Sequence, residues 1–300
     1  VAVGLSAEAT NADAVAIGAF SNATGVDSVA INGFALAQQA IAIGGSSTAR
    51  GINSVALGGD SLANADRSAA FGFAASAADV NSTAIGTRAS ASGDAATAVG
   101  NQAEANGTGA IAVGDRANAF QARSVAIGQS ARASADGNVA VGSNTIASGA
   151  ASTALGDNAQ VFLAGGTALG ANALAGGVDA VAVGRSALAD TEATAVGVEA
   201  VAGGLESVAF GNSATTAGQR ATAIGANSRA SAPSAIAVGQ NSNASAPISL
   251  AVGSSAQASG GGSIAVGAGA NASGAASVAI GLFSSADENQ TVSIGNAANG

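Results

Sequence analysis

The sequence predicts an all-β solenoid of about 21 stacked coils, and three observations carry that expectation. A glycine preceded by Ala and a bulky apolar residue recurs every 14 residues, from Ala2-Val3-Gly4 to Ser293-Ile294-Gly295. The residues before this anchor alternate between bulky and small side chains. The residues after it alternate between small and freely varying ones. Of the 21 intervals between anchors, 19 are 14 residues long; one is 12 (Asn32 to Gly44) and one is 13 (Gly184 to Gly197). A fixed period of this kind means that each unit packs only on its neighbours in a stack.

The first element of each coil is a strand. Counting from the anchor, position −1 is bulky throughout (Val3, Ile17, Leu57, Phe71, Phe210), and −3 is Val, Ile, Leu or Thr except at Ala69. Position −2 is Ala in 21 of 22 units, with Ser293 the exception, and −4 is nearly always Ser, Ala or Gly. Alternation with period 2 gives a strand of roughly five residues with a bulky and a small face. The anchor itself, Gly except at Asn32, suits a turn with positive φ.

A second strand follows. Positions +3 and +5 are small (Ala103 and Ala105, Ala131 and Ala133, Ala270 and Ala272), while +4 runs through Glu8, Asn22, Arg132, Gln257 and Asn271. One face is therefore expected to be buried and the other wet. A second turn, often with Gly at +7 (Gly25, Gly51, Gly93), closes the coil, and the two short intervals are expected to trim turns and spare strands.

The bulky −3 and −1 side chains are expected to fill the coil against Ala at +3 and +5, large against small. The small −4/−2 face is then left outside. Its uniformity argues that it too is buried, on identical chains around a symmetry axis. Ala56, Ala84, Ala98, Ala112, Ala126 and Ala140 are accordingly expected to face the oligomer axis, and the residues alone leave two-fold and three-fold symmetry open.

Composition fits an ordered, non-enzymatic chain. Apolar residues make up 48%, charged residues only 9%, and the net charge is −9. Clustered basic residues of the kind that grip nucleic acid or an anionic membrane are lacking. No apolar run approaches the ~20 residues of a membrane span. The ends fall inside the repeat, so the chain, one domain over 1–300, is expected to be a piece of a longer protein.

The units Asn53-Ser54-Val55-Ala56-Leu57-Gly58, Asn81-Ser82-Thr83-Ala84-Ile85-Gly86 and Ala276-Ser277-Val278-Ala279-Ile280-Gly281 resemble the SVAIG-type repeat of YadA-like head domains. Those heads belong to trimeric autotransporter adhesins of Gram-negative bacteria. The resemblance covers the whole chain. It implies a left-handed parallel β-roll, a homotrimer, exposure at the cell surface beyond the outer membrane, and adhesion to host matrix, host cells, other bacteria or abiotic surfaces. The two shortened units and Asn32 depart from the pattern, and no neck, stalk or anchor segment is present.

Cys, His, Lys and Tyr are absent, so most nucleophile, base and Schiff-base roles have no candidate. The acidic residues (Asp13, Asp27, Asp66, Asp94, Asp136, Asp179) scatter over turns and read as solvated; no cofactor or metal site is expected. Candidate ligand-binding residues are those that break the wet-face rule. Leu174, Leu188 and Val201 occupy +4 in three consecutive coils and should stack as an apolar stripe. Phe20 and Phe34, both two residues past an anchor, form a second candidate. Local packing under a turn is the bland alternative for both. An ice-binding face would need a regular Thr array, whereas Thr at −3 (Thr83, Thr97, Thr153) alternates with Val and Ile and reads as core. A fibre shaft or spacer without its own ligand is the alternative function.

Overall fold

A computed structural model describes residues 1–295; residues 296–300, included in the one-domain expectation, lie outside the described residues. Every regular element among the described residues is a β-strand. The chain divides into two compact units, Val1–Ala151 and Ser152–Gly300. Each is a parallel β-solenoid.

In unit 1 a typical coil has a three-residue strand, Val125–Ile127, and a two-residue strand, Arg132–Ala133, with tight turns between. These strands are shorter than the expected five residues, because the turns take more of the coil. Val125–Ile127 pairs in parallel with Ile111–Val113 on one side and Val139–Val141 on the other, each residue facing the one 14 positions away. The ladder bonds run between coils: the Val125 amide donates to Asn138 O at 2.8 Å, and the Gly128 amide to Val113 O at 2.8 Å. Unit 2 repeats the arrangement, with Val181–Val183 between Thr167–Leu169 and Thr194–Val196.

The two short intervals trim turns and spare strands. In unit 2, Val181 pairs with Thr194 and Ala189 with Ala202, so the missing residue comes from the turn at Asp190–Glu192. In unit 1 the residues removed are those of the first turn, after Asn32. Gly33 pairs with Ser47, Phe34 with Asn22 and Thr48, and Ala35 with Ala23 and Ala49, with a register shift between Ile31 and Gly33. Phe34 thus occupies the wet-strand register rather than the turn position of Phe20. The two rings do not form a stacked pair.

The structure inverts the expected faces of the first strand. Ala56, Ala84, Ala98, Ala112, Ala126 and Ala140 are fully buried within a single chain, so they face the coil's own interior and not an oligomer axis. No residue at −1 or −3 is fully buried; Ile85, Ile127, Leu169 and Phe210 are all exposed. The reason is the width of the coil. In most coils, turns of four and five residues hold the two strands so close that Ala and Ser fill nearly all the space between them. Period-2 alternation fixes that two faces differ, and leaves open which faces inward. The threonines at −3, read as core, also lie on this outward face, interrupted by Val and Ile.

The interior is made mostly of Ala at −2, +3 and +5 and of Ser at −4 and +3, and most of these hydroxyls are satisfied locally. Ser54 Oγ donates to Gly51 O at 2.7 Å, Ser124 Oγ to Gln121 O at 2.6 Å and Ser61 Oγ to Gly58 O at 2.8 Å. Larger residues enter only with compensation. Val161 is the largest fully buried side chain, and Gly166 across from it has no side chain: a Cβ there would lie 2.5 Å from Val161 Cγ1. Thr216 Oγ1 donates to Ser207 Oγ at 2.8 Å, and Asn138 Nδ2 to Ala147 O at 2.8 Å.

The anchor glycines are required twice over. Gly170 has φ +131, a region closed to L side chains, and a Cβ on it would lie 2.6 Å from the carbonyl oxygen of Gly184 in the next coil. The sequence did not reveal the other positive-φ positions. Each full coil has two, at +2 and −5, and non-glycine residues such as Arg88, Gln102, Asn53 and Asp179 fill most of them, with φ of 52–59°.

Candidate adhesive surfaces

Three surfaces follow from this geometry. The first is the outward face of the longer strand, where −3 and −1 line up in two apolar columns within each unit. In unit 1 they include Thr97, Ile111, Val125 and Val139 beside Val99, Val113, Ile127 and Val141. In unit 2 they include Thr222, Ile236 and Leu250 beside Ile224, Val238 and Val252. Ile127 keeps 38% of its surface exposed. Size is balanced across these columns at one point: Ala69, the small exception at −3, shares its strand with Phe71, a large residue at −1.

The second surface is the wet face of the shorter strand. Leu174 pairs with Leu188 and Leu188 with Val201, so the three do lie in one column of unit 2. Leu188 is exposed, and Leu174 and Val201 are half-buried. Gln160 and Thr215 bound the column at its two ends. Sequence reasoning missed the neighbouring Phe162 and Leu163, both exposed, which follow the Gln160–Val161 strand into the turn. Their signal was available: they replace the small or polar residues usual past +5. Phe20 is exposed in a turn with φ 60, and Phe34 is exposed at the strand register described above.

The third surface is polar and was also missed. Arg88, Gln102, Glu104, Arg116 and Asn118 line an open cavity of about 390 Å³ in unit 1. They come from three consecutive coils: Arg88, Gln102 and Arg116 from the +2 turn column, Glu104 and Asn118 from the +4 strand column. No spacing rule in one coil points to it, because the cavity exists only once coils are stacked.

These columns, repeated along the chain, are the structural signature of a repeat domain, and the repeat has a match. The family model described as "YadA head domain repeat (2 copies)" matches residues 1–21, 9–31, 35–61, 63–89, 91–117, 121–145, 133–159, 147–173, 164–187, 191–214, 202–228, 217–242, 230–249, 244–270 and 272–298. The chain belongs to the YadA head domain repeat family. It is thus an adhesin-type head, of a family of bacterial cell-surface proteins that is in general non-enzymatic. No curated protein matches the chain. Among solved structures it is similar to the collagen-binding domain of the Yersinia adhesin YadA, at 22% identity over 65% of this chain and 71% of that one, with a TM-score of 0.19.

Proposed function

We propose that this chain is the non-enzymatic adhesion head of a homotrimeric autotransporter on the outer membrane of a Gram-negative bacterium. In this reading it binds host matrix, host cells or other surfaces. The observation that carries the assembly is the outward apolar face. Within each unit Val, Ile, Leu and Thr stand half-covered or exposed in two columns, while the interior of the coil is almost entirely Ala and Ser. A monomer would leave the larger part of its apolar side-chain volume in contact with water. The count of three comes from the family resemblance.

With the −3/−1 columns turned to the partners, the wet +4 face points away from them and is free to meet a ligand. Three copies of one modest site multiply by avidity. The stripe Leu174, Leu188 and Val201, extended by Phe162, is the apolar patch on that face. The test measures solution mass and adhesion together. A trimeric mass is expected, and replacing Leu174, Leu188 and Val201 with Asn should leave the mass and the β-sheet signal unchanged while reducing adhesion to matrix proteins or bare surfaces. A stable monomer would refute the assembly. Unchanged adhesion dismisses the stripe, and a parent trimer that adheres to nothing is a spacer.

A further inference from the structure

The chain has 18 acidic residues and nine arginines, so two arginines in one small cavity stand out against the background. Arg88, Gln102 and Arg116 occupy the same turn position in three consecutive coils, with φ of 55, 54 and 54°. Two coil steps of ~4.8 Å place the Arg88 and Arg116 backbones ~10 Å apart. Beside them on the adjoining strand, Glu104 pairs in register with Asn118.

The hydrogen bonds within the cavity leave a specific set of groups unused. Arg116 Nε donates to Gln102 Oε1 at 3.3 Å, and its Nη1 lies 3.7 Å from Asp115 Oδ2. Asn118 Nδ2 donates to Glu104 Oε2 at 3.1 Å. The Arg88 guanidinium has no hydrogen-bond or ion-pair partner among the described residues. The Asn118 Oδ1 atom is buried without a partner, as are Asn22 Oδ1 and Asn243 Oδ1 at the same strand position, so it belongs to the strand and not to the cavity. The next residue in that column, Arg132, is not part of the cavity; its guanidinium sits 5.3 Å from the centre of the Phe120 ring.

We propose that this cavity binds a carboxylate-bearing sugar. The two arginines at its ends supply donors for a carboxylate, in charge-assisted bonds. Glu104, beside them on the adjoining strand, supplies acceptors for sugar hydroxyls. A small anion without hydroxyl donors would satisfy the arginines and offer Glu104 nothing to offset the repulsion. A neutral sugar would satisfy Glu104 and leave Arg88 without a counter-charge. A ligand carrying a carboxylate and hydroxyl donors on one ring satisfies both ends. The volume falls at the low end of the ~300–1,000 Å³ typical of small-ligand sites, which suits one sugar residue. The residue is either a terminal sialic acid or a hexuronate within a longer glycan.

Access to the cavity rests on the trimer reading above, which leaves this face outward; free sugars in solution separate the two ideas, because a chain that stays monomeric can still bind them. Sialyllactose, an unsulfated hyaluronan tetrasaccharide, lactose and dextran sulfate are titrated into the purified chain by calorimetry or saturation-transfer NMR. One of the two carboxylated sugars should bind about tenfold or more tighter than lactose, and which one does so identifies the source. Arg88→Gln and Arg116→Gln should each weaken that binding about tenfold, as expected for a lost charge-assisted bond. Gln is already accommodated at this turn position in Gln102. Glu104→Ser, which copies Ser90 in the same column, should also weaken it several-fold. Arg229→Ala, in unit 2, should change nothing. Absence of binding by both carboxylated sugars overturns the site. So does binding of dextran sulfate alone that tightens in Glu104→Ser, since that is attraction of any polyanion.

Discussion

The inward and outward faces of the longer strand can be separated by substituting adjacent residues, Ala126 and Ile127. Ile127 is 38% exposed in one chain. Full burial of an Ile stabilises by about 1.5–3 kcal/mol, so covering this remainder contributes about 0.6–1.1 kcal/mol per chain. In the proposed trimer, a three-fold layer therefore gains about 2–3 kcal/mol. Placing Asn there removes that gain and sets three amides into an apolar layer, at about 1–3 kcal/mol each. The loss per layer is then about 5 kcal/mol or more. One layer among many will not dissociate a trimer, so the variant replaces Val99, Val113 and Ile127 together with Asn. These three are consecutive in one column.

Ala126→Arg acts differently. Ala126 is fully buried between Ala112 and Ala140, and an Arg there has neither room nor a counter-charge. The coil itself must open. The assay combines thermal dissociation followed by light scattering, far-UV circular dichroism, and amide hydrogen exchange over residues 95–145. The triple Asn variant should dissociate at a lower temperature with its β-signal and its coil-to-coil exchange protection retained. Ala126→Arg should lose protection locally whether or not the chain is assembled. The reasoning is refuted if Ala126→Arg yields chains with fully protected coils that merely fail to assemble, or if the triple Asn variant dissociates as the parent does.

Two further predictions concern the coil. Gly170→Ala should destabilise unit 2 by about 2–3 kcal/mol or more, because it combines a φ of +131 with overlap on the Gly184 carbonyl; chemical unfolding that matches the parent would sink this account. Gly166→Ala and Val161→Ala should each cost about 1–3 kcal/mol, by overpacking and by a cavity respectively. The double variant should recover most of both, with a coupling of about 2 kcal/mol, since it restores the Ala-on-Ala interior of other coils. Additive losses would show that the two side chains do not share one space.

The period, the two strands per coil, the wet +4 face and the sparing of strands at both short intervals were legible in the sequence because each depends on spacing alone. The direction of the first strand's faces was not. Uniform Ala at −2 correctly indicated burial, but the usual preference of bulky residues for the inside pointed the wrong way in a coil too thin to hold them. Phe34 was misplaced for a related reason: counting from Asn32 assumes a full turn, and the chain removes two residues there. The Leu174, Leu188 and Val201 column was found because all three share one position. The Arg88–Arg116 cavity was not, since its lining combines turn and strand positions from different coils.

The inverted coil links fold to function. The interior is almost entirely Ala and Ser, so nearly all the chain's bulky apolar residues serve contacts between coils' outer faces and, in the proposed trimer, between chains. Positions −4, −2, +3 and +5 are held by the narrow interior, the anchor by its backbone angle, and −3 and −1 by the apolar columns. Of the strand positions only +4 carries no structural demand, and together with the turns it is where Glu104, Asn118, Leu174 and Leu188 differ from coil to coil. A recognition surface can therefore be written along this face, one side chain per ~4.8 Å step, without disturbing what holds the stack together. The Arg88–Arg116 cavity in unit 1 and the Leu174, Leu188 and Val201 stripe in unit 2 are the two such surfaces proposed for this scaffold.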